Sequence, residues 1–395
     1  MTHRDYSAAV LIGRFQPIHN EHKSLIEHAL EIADKVVILV GSAHAAPTPK
    51  NPFTFEERRD MIRSVWPRYS ADKAAFYAPG GDFSGTSTER VLARAENLNG
   101  DGNRLIIEPI RDYFYSDDTW LAQVQSVVSN YIEDGETVSL MGNYKDRSSY
   151  YLNFFPQWEF VHPKVKSQMD ATAIREVLFD VKIGRKWSDT MVNGESTISA
   201  DARAAQNDFF KKSVPDPVLR FLTEFRSTER FANLSEEFKA NRSYRESWDV
   251  APFPPTFITA DAVVTCGGHV LVIKRGFNPG KGLLALPGGF VRPHERIKDA
   301  AVRELKEETR IRIDKPVLKR AIVDSEVFDY PDRSERGRTV THAFHIKLDG
   351  KLPEVKATGA DDAVKCVWMP YVEVMRRADE FFEDHIHIIN NFITA

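Results

Sequence analysis

The sequence is poor in cysteine and has no long apolar run. Its 395 residues contain two cysteines, Cys266 and Cys366, which excludes a disulfide framework and a zinc site made of several cysteines. We therefore expect a reducing compartment and a cytoplasmic protein. No apolar stretch approaches the roughly 20 residues that a membrane span needs, and the N-terminus lacks the layout of a signal peptide. We expect no membrane partner.

An excess of charge of one sign is also missing. The 53 lysines and arginines nearly offset the 57 aspartates and glutamates, so the formal net charge is −4 at pH 7. This balance provides no bulk attraction for nucleic acid, and we expect no nucleic-acid partner. Small anionic substrates are compatible with locally basic sites. At roughly 100–200 residues per domain, the length predicts two or three domains. The sequence leaves open whether the protein forms a homo-oligomer.

The first part of the chain alternates strand and helix patterns. Residues 8–13 and 35–42 read as buried parallel strands, and residues 23–34 between them place apolar side chains at helical spacing. Further strands are predicted at 104–110, 137–143 and 158–163. Such βαβ units imply right-handed crossovers. The fold class is therefore α/β, with an N-terminal doubly wound parallel sheet over residues 1–185.

Two further regions follow in the sequence. Residues 186–255 are polar and contain helix-like pieces, and they end at a proline cluster that cannot lie inside a helix. We interpret this region as a helical connector. From residue 256 to 395 the pattern changes to strands around a Gly-Gly turn, a helix at about 295–309 and more strands. This predicts a mixed α/β domain of ordinary single-domain size.

The stretch "LIGRFQPIHNEH" contains two histidines three residues apart. Gly13 and Pro17 shape a turn from strand to helix, which places His19 just before the helix and His22 in its first turn. A helix N-terminus favours phosphate, and Arg14 adds positive charge. A surface or core histidine pair is the ordinary alternative, and zinc is disfavoured because no third ligand stands nearby at helical spacing.

The surroundings of the histidines resemble a nucleotidyltransferase signature, G-x-F-x-P-x-H-x-G-H, with Glu21 where the signature has glycine. A second stretch, "DATAIRE", resembles the S-S-T-x-I-R phosphate motif of the same class. The resemblance implies a Rossmann-like nucleotidyltransferase fold. It also implies a set of functional residues, namely Gly13, Arg14, Phe15 and Thr172 for ATP and phosphate binding and His19, His22 and Arg175 for catalysis. Thr172 is expected to cap its helix.

The stretch "NPFTFEERRDMI" resembles the archaeal-type nicotinamide mononucleotide adenylyltransferases. That resemblance implies ATP and nicotinamide mononucleotide (NMN) as substrates, NAD as product and Mg²⁺ as cofactor. It makes Arg58 and Trp120 the expected NMN-binding residues. The alternative for Trp120 is helix packing, because aromatic rings serve both uses.

A cluster of glutamates marks a second site, in "GGFVRPHERIKDAAVRELKEETRI". Glu304, Glu307 and Glu308 share one sector of a helix, where three like charges repel unless a cation neutralises them. Hard divalent cations prefer such oxygen ligands. A solvated acidic helix face is the alternative.

The spacing of this stretch resembles the Nudix box, G-x5-E-x7-R-E-U-x-E-E-x-G-U. The matching positions are Gly289, Glu295, Arg303, Glu304, Leu305, Glu307, Glu308 and Ile311. The resemblance implies a C-terminal α/β Nudix fold with Mg²⁺, or Mn²⁺, on Glu304, Glu307 and Glu308, the last two being catalytic. Arg310 stands where the box has glycine, so we expect a changed helix end.

The stretch 328–344 resembles the loop of ADP-ribose pyrophosphatase-like Nudix proteins, which implies ADP-ribose binding by Arg333, Arg336 and Arg338. The nearby Asp361 and Asp362 match an acidic stretch that would hold a second metal or a base. Together the two halves resemble bifunctional NMN adenylyltransferase/Nudix hydrolases, which make NAD and hydrolyse ADP-ribose to AMP and ribose 5-phosphate. Three alternatives stay open: another phosphate substrate for the transferase, a ligand-sensing Nudix half, and an interaction protein with decayed sites.

Overall fold

The structure, a computed structural model, describes residues 4–69, 104–142, 151–162, 170–180, 190–192, 195–197, 200–355 and 363–393. The chain divides into two compact units. Unit 1 consists of residues 1–43, 53–112 and 118–231, and unit 2 of residues 44–52, 113–117 and 232–395. The domain division at residues 185 and 255 stays a prediction. None of the helices that the structure describes has the length and apolar character to cross a membrane.

Unit 1 contains a parallel sheet with the strand order β3-β2-β1-β4-β5. Its strands are β1 (Tyr6–Gly13), β2 (Ala33–Val40), β3 (Leu105–Pro109), β4 (Val138–Met141) and β5 (Glu159–Val161). In register, Val10 of β1 lies between Val37 of β2 and Leu140 of β4. The predicted doubly wound sheet is confirmed. Ligands of such sheets bind beyond the carboxyl ends of the strands where the order reverses, which here is between β1 and β4.

Helices accompany this sheet at the predicted places. They are α1 (Asn20–Ile32), α2 (Phe55–Val65), α3 (Asp117–Ser129), α4 (Ala171–Phe179), α5 (Ala200–Ser213) and α6 (Asp216–Phe225), and a short hairpin of β6 (Thr190–Val192) and β7 (Glu195–Thr197) precedes α5. Helix α1 buries Ile26, Ala29 and Leu30, as its apolar spacing predicts. Helix α2 begins with a capping box in which Thr54 and Glu57 satisfy each other's backbone N–H groups.

Unit 2 contains a mixed sheet and most of helix α7 (Glu229–Glu246). The sheet follows the order β10-β9-β8-β13-β12, with β11 paired to β8 and β14 paired to β9. The strands are β8 (Phe257–Cys266), β9 (His269–Arg275), β10 (Leu284–Ala285), β11 (Gly288–Phe290), β12 (Ile322–Phe328), β13 (Thr339–Leu348) and β14 (Ala363–Pro370). Gly267 and Gly268 form the predicted turn between β8 and β9, and both adopt positive φ.

The helix that carries the glutamates is α8 (Ile297–Thr309), and it packs Val302 and Leu305 into the apolar core. The remaining helices of unit 2 are α9 (Lys315–Arg320), α10 (Tyr371–Arg376) and α11 (His385–Ile393). The expectation of a changed end for α8 is wrong. Arg310 itself adopts the left-handed conformation, with φ 50° and ψ 28°, so the helix ends as it would with glycine.

Candidate active sites

The turn after β1 brings two backbones close together. The Gly13 carbonyl accepts a hydrogen bond from the N–H of Gly41, which follows β2, at 2.9 Å. Phe15 is buried with φ 51°, and its ring lies 3.2 Å from the place where a Cβ on residue 13 would stand. A side chain at position 13 would therefore crowd the Phe15 ring. The turn presents Arg14 at the exposed surface.

The two histidines lie at the start of α1, as predicted. His19 is the N-cap residue and is 1% exposed, and His22 lies in the first turn. Their rings stack with centroids 3.7 Å apart, and the Phe15 ring lies 4.7 Å from that of His22. The positive end of α1 and the imidazole donors suit a phosphate group. Within the described ranges, no three histidine, cysteine or acidic side chains are grouped as they would be around a metal ion.

The second phosphate motif meets the first at this turn. Arg175 donates one hydrogen bond to the Gln16 carbonyl at 2.8 Å and another to the Thr172 hydroxyl at 3.1 Å. The expected cap by Thr172 is wrong, because the Asp170 carboxylate accepts the Ala173 N–H at 2.8 Å and caps α4. The aspartate that departs from the family motif therefore supplies the cap, and Thr172 orients the arginine.

Gln16 was missed by the sequence reasoning. Its buried amide donates to the Phe53 carbonyl at 2.9 Å and accepts from the Phe53 N–H at 3.0 Å. This pair of bonds fixes the histidine turn to the backbone just before α2. The available signal was an amide side chain in a buried turn, but its partner lies 37 residues away.

Arg58 is a buried positioning residue in this structure. It is 1% exposed and donates to four backbone carbonyls, those of Thr54 (3.1 Å), Arg14 (2.8 Å), Gly41 (2.6 Å) and Ser42 (3.1 Å). Burial lowers the pKa of its guanidinium to about 10. These bonds hold the ends of β1 and β2 together. Direct contact between Arg58 and a mononucleotide stays a prediction.

Trp120 lies on α3 and packs against the apolar core of unit 1. Its ring centroid is 5.6 Å from that of Tyr151 and 6.1 Å from that of Phe155. These contacts support the packing alternative. Mononucleotide binding by Trp120 stays a prediction.

Arg303 organises the glutamates of unit 2. It donates two hydrogen bonds to Glu295, both at 2.8 Å, one to Glu304 at 2.6 Å and one to Glu307 at 3.0 Å. It also donates to the Phe290 carbonyl at 3.2 Å. The bonds to Glu295 raise the pKa of the Arg303 guanidinium. The arginine thus offsets the repulsion among carboxylates on one face of α8.

Strand β11 passes directly across the carboxylates. Glu308 is buried and accepts the Gly288 N–H at 3.0 Å. A Cβ on Gly289 would stand 2.6 Å from the nearer Glu304 oxygen, so only glycine leaves that carboxylate in place. The side chain of Glu307 is 51% exposed. The oxygen donors suit a hard divalent cation, although the carboxylates of the described residues are not gathered into a ready metal cluster.

A positively charged hollow adjoins Glu307 at the end of α8. Its volume is about 340 Å³, and it is lined by Arg303, Lys306, Glu307, Arg310, Ile311, Arg312 and Lys315. The excess of cations favours an anion beside the carboxylates. Arg310, which stands where the Nudix box has glycine, therefore adds a positive charge to this hollow.

The three loop arginines have different surroundings. Arg333 forms a bidentate pair with Asp384 at 2.8 and 2.7 Å, and their side chains are 2% and 0% exposed. The Tyr115 hydroxyl also donates to Asp384 at 2.5 Å. This pair is structural in the present arrangement, and contact of Arg333 with ADP-ribose stays a prediction. Asp384 and Tyr115 were missed by the sequence reasoning.

Arg336 is the loop arginine that contacts strand β11. Its guanidinium lies 5.4 Å from the centroid of the Phe290 ring and 3.9 Å from Glu383. Arg338 pairs with Asp329 at 3.6 Å and is partly exposed. Substrate contacts of both arginines stay predictions. Asp361 and Asp362 lie outside the described residues.

Comparisons with known proteins match both parts of the chain. A family model described as cytidylyltransferase-like matches residues 10–139, and one described as NUDIX domain matches residues 255–392. The chain is 30% identical over 235 residues to the nicotinamide/nicotinic acid mononucleotide adenylyltransferase of Acinetobacter baylyi. The matched region covers 59% of this chain and 94% of that protein. Over 136 residues, it is 34% identical to the ADP-ribose pyrophosphatase of Methanocaldococcus jannaschii, covering 34% of this chain and 72% of that protein.

A solved structure is similar over nearly the whole chain. It is a bifunctional NMN adenylyltransferase/ADP ribose pyrophosphatase from Francisella tularensis, with 32% identity, a TM-score of 0.78 and coverage of 98% of this chain and 99% of that one. The same Francisella protein was also solved in complex with AMP and a manganese ion, with 32% identity and a TM-score of 0.77. The similarity therefore covers the sequence of both units.

Proposed function

Because this chain belongs to the bifunctional NMN adenylyltransferase/ADP-ribose pyrophosphatase family, we propose that it carries out both reactions in NAD metabolism. Unit 1 transfers AMP from ATP to NMN and releases NAD and pyrophosphate. Unit 2 hydrolyses ADP-ribose to AMP and ribose 5-phosphate. One observation carries the proposal furthest: the stacked histidine pair and Arg175 of the distant second motif meet at a single strand-to-helix turn.

The transferase reaction is an in-line displacement. An oxygen of the NMN phosphate attacks the α-phosphorus of ATP, and the bond to the leaving pyrophosphate breaks. His19, His22, Arg14 and Arg175 stabilise the charge that builds on the phosphate oxygens. The protein forms no covalent bond to substrate, so its contribution is positioning and electrostatics. Arg58 and Gln16 support this by holding the turn in place.

The hydrolase reaction depends on a divalent metal. The metal would be held by Glu304, Glu307 and Glu308, and we propose that it is Mg²⁺. The Francisella relative was solved with a manganese ion. When bound, the metal activates water and shields the charge of the diphosphate. Arg303 holds two of these carboxylates on one face of α8. The cationic hollow beside Glu307 attracts the diphosphate.

We propose a cytoplasmic location, because a sequence with two cysteines suits a reducing compartment.

The transferase assignment is tested with His19→Ala. We expect the variant to keep its fold and to lose NAD formation by about a hundredfold or more, as removal of one charge-stabilising donor commonly does. NAD is measured after incubation with ATP, Mg²⁺ and a panel of mononucleotides. His28→Ala is the matched control, because His28 lies on the same helix and pairs only weakly with Glu31 at 3.5 Å. Unchanged turnover of His19→Ala would exclude the assignment.

The hydrolase assignment is tested with Glu308→Gln. We expect ADP-ribose cleavage to be lost while NAD formation continues, because the two reactions use separate residues. Glu354→Gln is the control, since the Glu354 side chain is 73% exposed and pairs with Arg312 at 3.5 Å. A wild-type protein that binds ADP-ribose without cleaving it would instead identify unit 2 as a ligand-sensing module.

A further inference from the structure

The loop that carries the three arginines, residues 332–338, is fastened by the residue at its centre. Glu335 accepts hydrogen bonds through three oxygen atoms. Its Oε1 accepts the Lys50 N–H at 3.0 Å, its Oε2 accepts from the Asn241 amide at 3.4 Å, and its carbonyl accepts from the Arg245 guanidinium at 2.6 Å. A second contact joins Lys50 Nζ to Asp332 at 3.4 Å.

All three partners of Glu335 lie outside the matched Nudix region, residues 255–392, although they belong to the same compact unit. Asn241 and Arg245 are four residues apart on α7 and therefore share one face of that helix. One turn earlier on the same face, the buried Glu237 accepts the Gly280 N–H at 3.0 Å. This face of α7 thus lies against the hydrolase fold and reaches the arginine loop.

The residue after Glu335 is Arg336, which contacts strand β11, the strand that passes across the carboxylates of α8. The Arg336 guanidinium lies over the Phe290 ring, at 5.4 Å from its centroid. The carbonyl of Phe290 accepts from Arg303, which in turn holds Glu304 and Glu307. Movement of the Glu335 backbone would therefore change the distance between Arg336 and the carboxylates.

We propose that Glu335 is a positioning residue for the hydrolase reaction, and that Lys50, Asn241 and Arg245 act through it to hold Arg336 in place for the substrate diphosphate. The proposal rests on the proposed ADP-ribose pyrophosphatase activity. A fixed loop binds substrate more tightly than a loose one, because less conformational freedom is lost on binding. A loosened loop should therefore raise the KM for ADP-ribose more than it lowers kcat.

The experiment measures kcat and KM for ADP-ribose in Glu335→Ala and Asn241→Ala, with Mg²⁺ at saturation. We expect KM to rise about tenfold in Glu335→Ala, which loses both carboxylate contacts, and about threefold in Asn241→Ala, which loses one. In both, kcat should change by less than about threefold. Glu354→Ala is the control, because that glutamate is exposed and lies outside the loop.

The conservative variant Glu335→Gln separates the effect of the Glu335 hydrogen bonds from the effect of its negative charge. Its amide oxygen can still accept the Lys50 N–H, and its amide nitrogen can donate to Asn241 once the Asn241 amide turns over. We therefore expect Glu335→Gln to restore KM to within about threefold of the wild type. Thermal unfolding of the same samples reports whether unit 2 of each variant is folded. NAD formation, a reaction of unit 1, should stay within about twofold.

The outcomes are distinguishable. Absence of ADP-ribose cleavage by the wild type would refute the proposed function itself. Cleavage by the wild type with unchanged KM in Glu335→Ala would overturn the positioning role alone. A rise in KM that Glu335→Gln fails to reverse would also overturn it, because the effect would then come from the lost negative charge.

Discussion

Removal of Arg333 should destabilise unit 2 rather than weaken substrate binding. In Arg333→Met, the Asp384 carboxylate would remain 0% exposed, with the Tyr115 hydroxyl as its one other described hydrogen-bond partner at 2.5 Å. Breaking a buried ion pair in this way costs about 3–5 kcal/mol. That is a large fraction of a total stability of about 5–15 kcal/mol. For a unit of this size, the melting temperature should fall by about 6–20 °C.

The assay is calorimetric unfolding combined with both activities. We expect the transition assigned to unit 2 to move to lower temperature. At low temperature, where the variant is still folded, the KM for ADP-ribose should stay within about threefold of the wild type. Tyr115→Phe, which removes one hydrogen bond to the same carboxylate, should cost about 1–3 kcal/mol.

The double variant Arg333→Met/Asp384→Leu provides the decisive control. Replacement of a buried pair by apolar side chains of similar volume is often neutral, so the double variant should recover most of the lost stability. The reasoning would be refuted by an Arg333→Met protein with an unchanged melting temperature and a tenfold higher KM. That result would assign Arg333 to direct contact with substrate.

Three other substitutions have definite expected outcomes. Arg310→Gly should raise the free energy of unfolding by about 1 kcal/mol in thermal unfolding, because the left-handed conformation costs arginine about 1–3 kcal/mol and glycine loses about 0.5–1 kcal/mol in entropy. Burial raises the pKa of Glu237 to about 7, so the folded state binds its proton more tightly than the unfolded state, and wild-type stability falls as pH rises from about 4.5 to 7. In urea unfolding, Glu237→Gln should therefore match the wild type near pH 4.5 and exceed it by about 3 kcal/mol at pH 8. An equal difference at both pH values would contradict this. Gly289→Ala should displace the Glu304 carboxylate, 2.6 Å from the added Cβ, and lower ADP-ribose cleavage at limiting Mn²⁺ by about tenfold, with NAD formation as the control.

The α/β fold was predictable where local patterns carry the physical cause. The apolar run at 36–40 is fully buried in β2, as a strand covered on both faces must be. The His19 and His22 positions followed from the strand, the turn and the helix around them. Boundaries were less accurate: α1 begins at Asn20 instead of 23 and gives way directly to β2, because Ala33 is already extended.

Contacts between distant residues were not predictable from local patterns. Arg175 bonds to a carbonyl 159 positions away, and only the resemblance to a two-motif family suggested that the two would meet. Tyr115 and Asp384 are separated by 269 positions, and neither lies in a recognisable motif. The hydrogen-bond partner of a side chain depends on how the whole chain packs. The spacing of apolar residues along the sequence does not reveal it.

Arg58 and Arg333 show that charge alone does not distinguish a ligand contact from an internal one. Both were predicted to bind substrate, and both are buried, at 1% and 5% exposure. A buried guanidinium is tolerated only when its donors are satisfied. Arg58 satisfies its donors with four carbonyls and Arg333 with one carboxylate. Donors already used in this way are costly to transfer to a ligand. Exposure is therefore the better guide, and we expect substrate phosphate to contact the exposed Arg14 before either buried arginine.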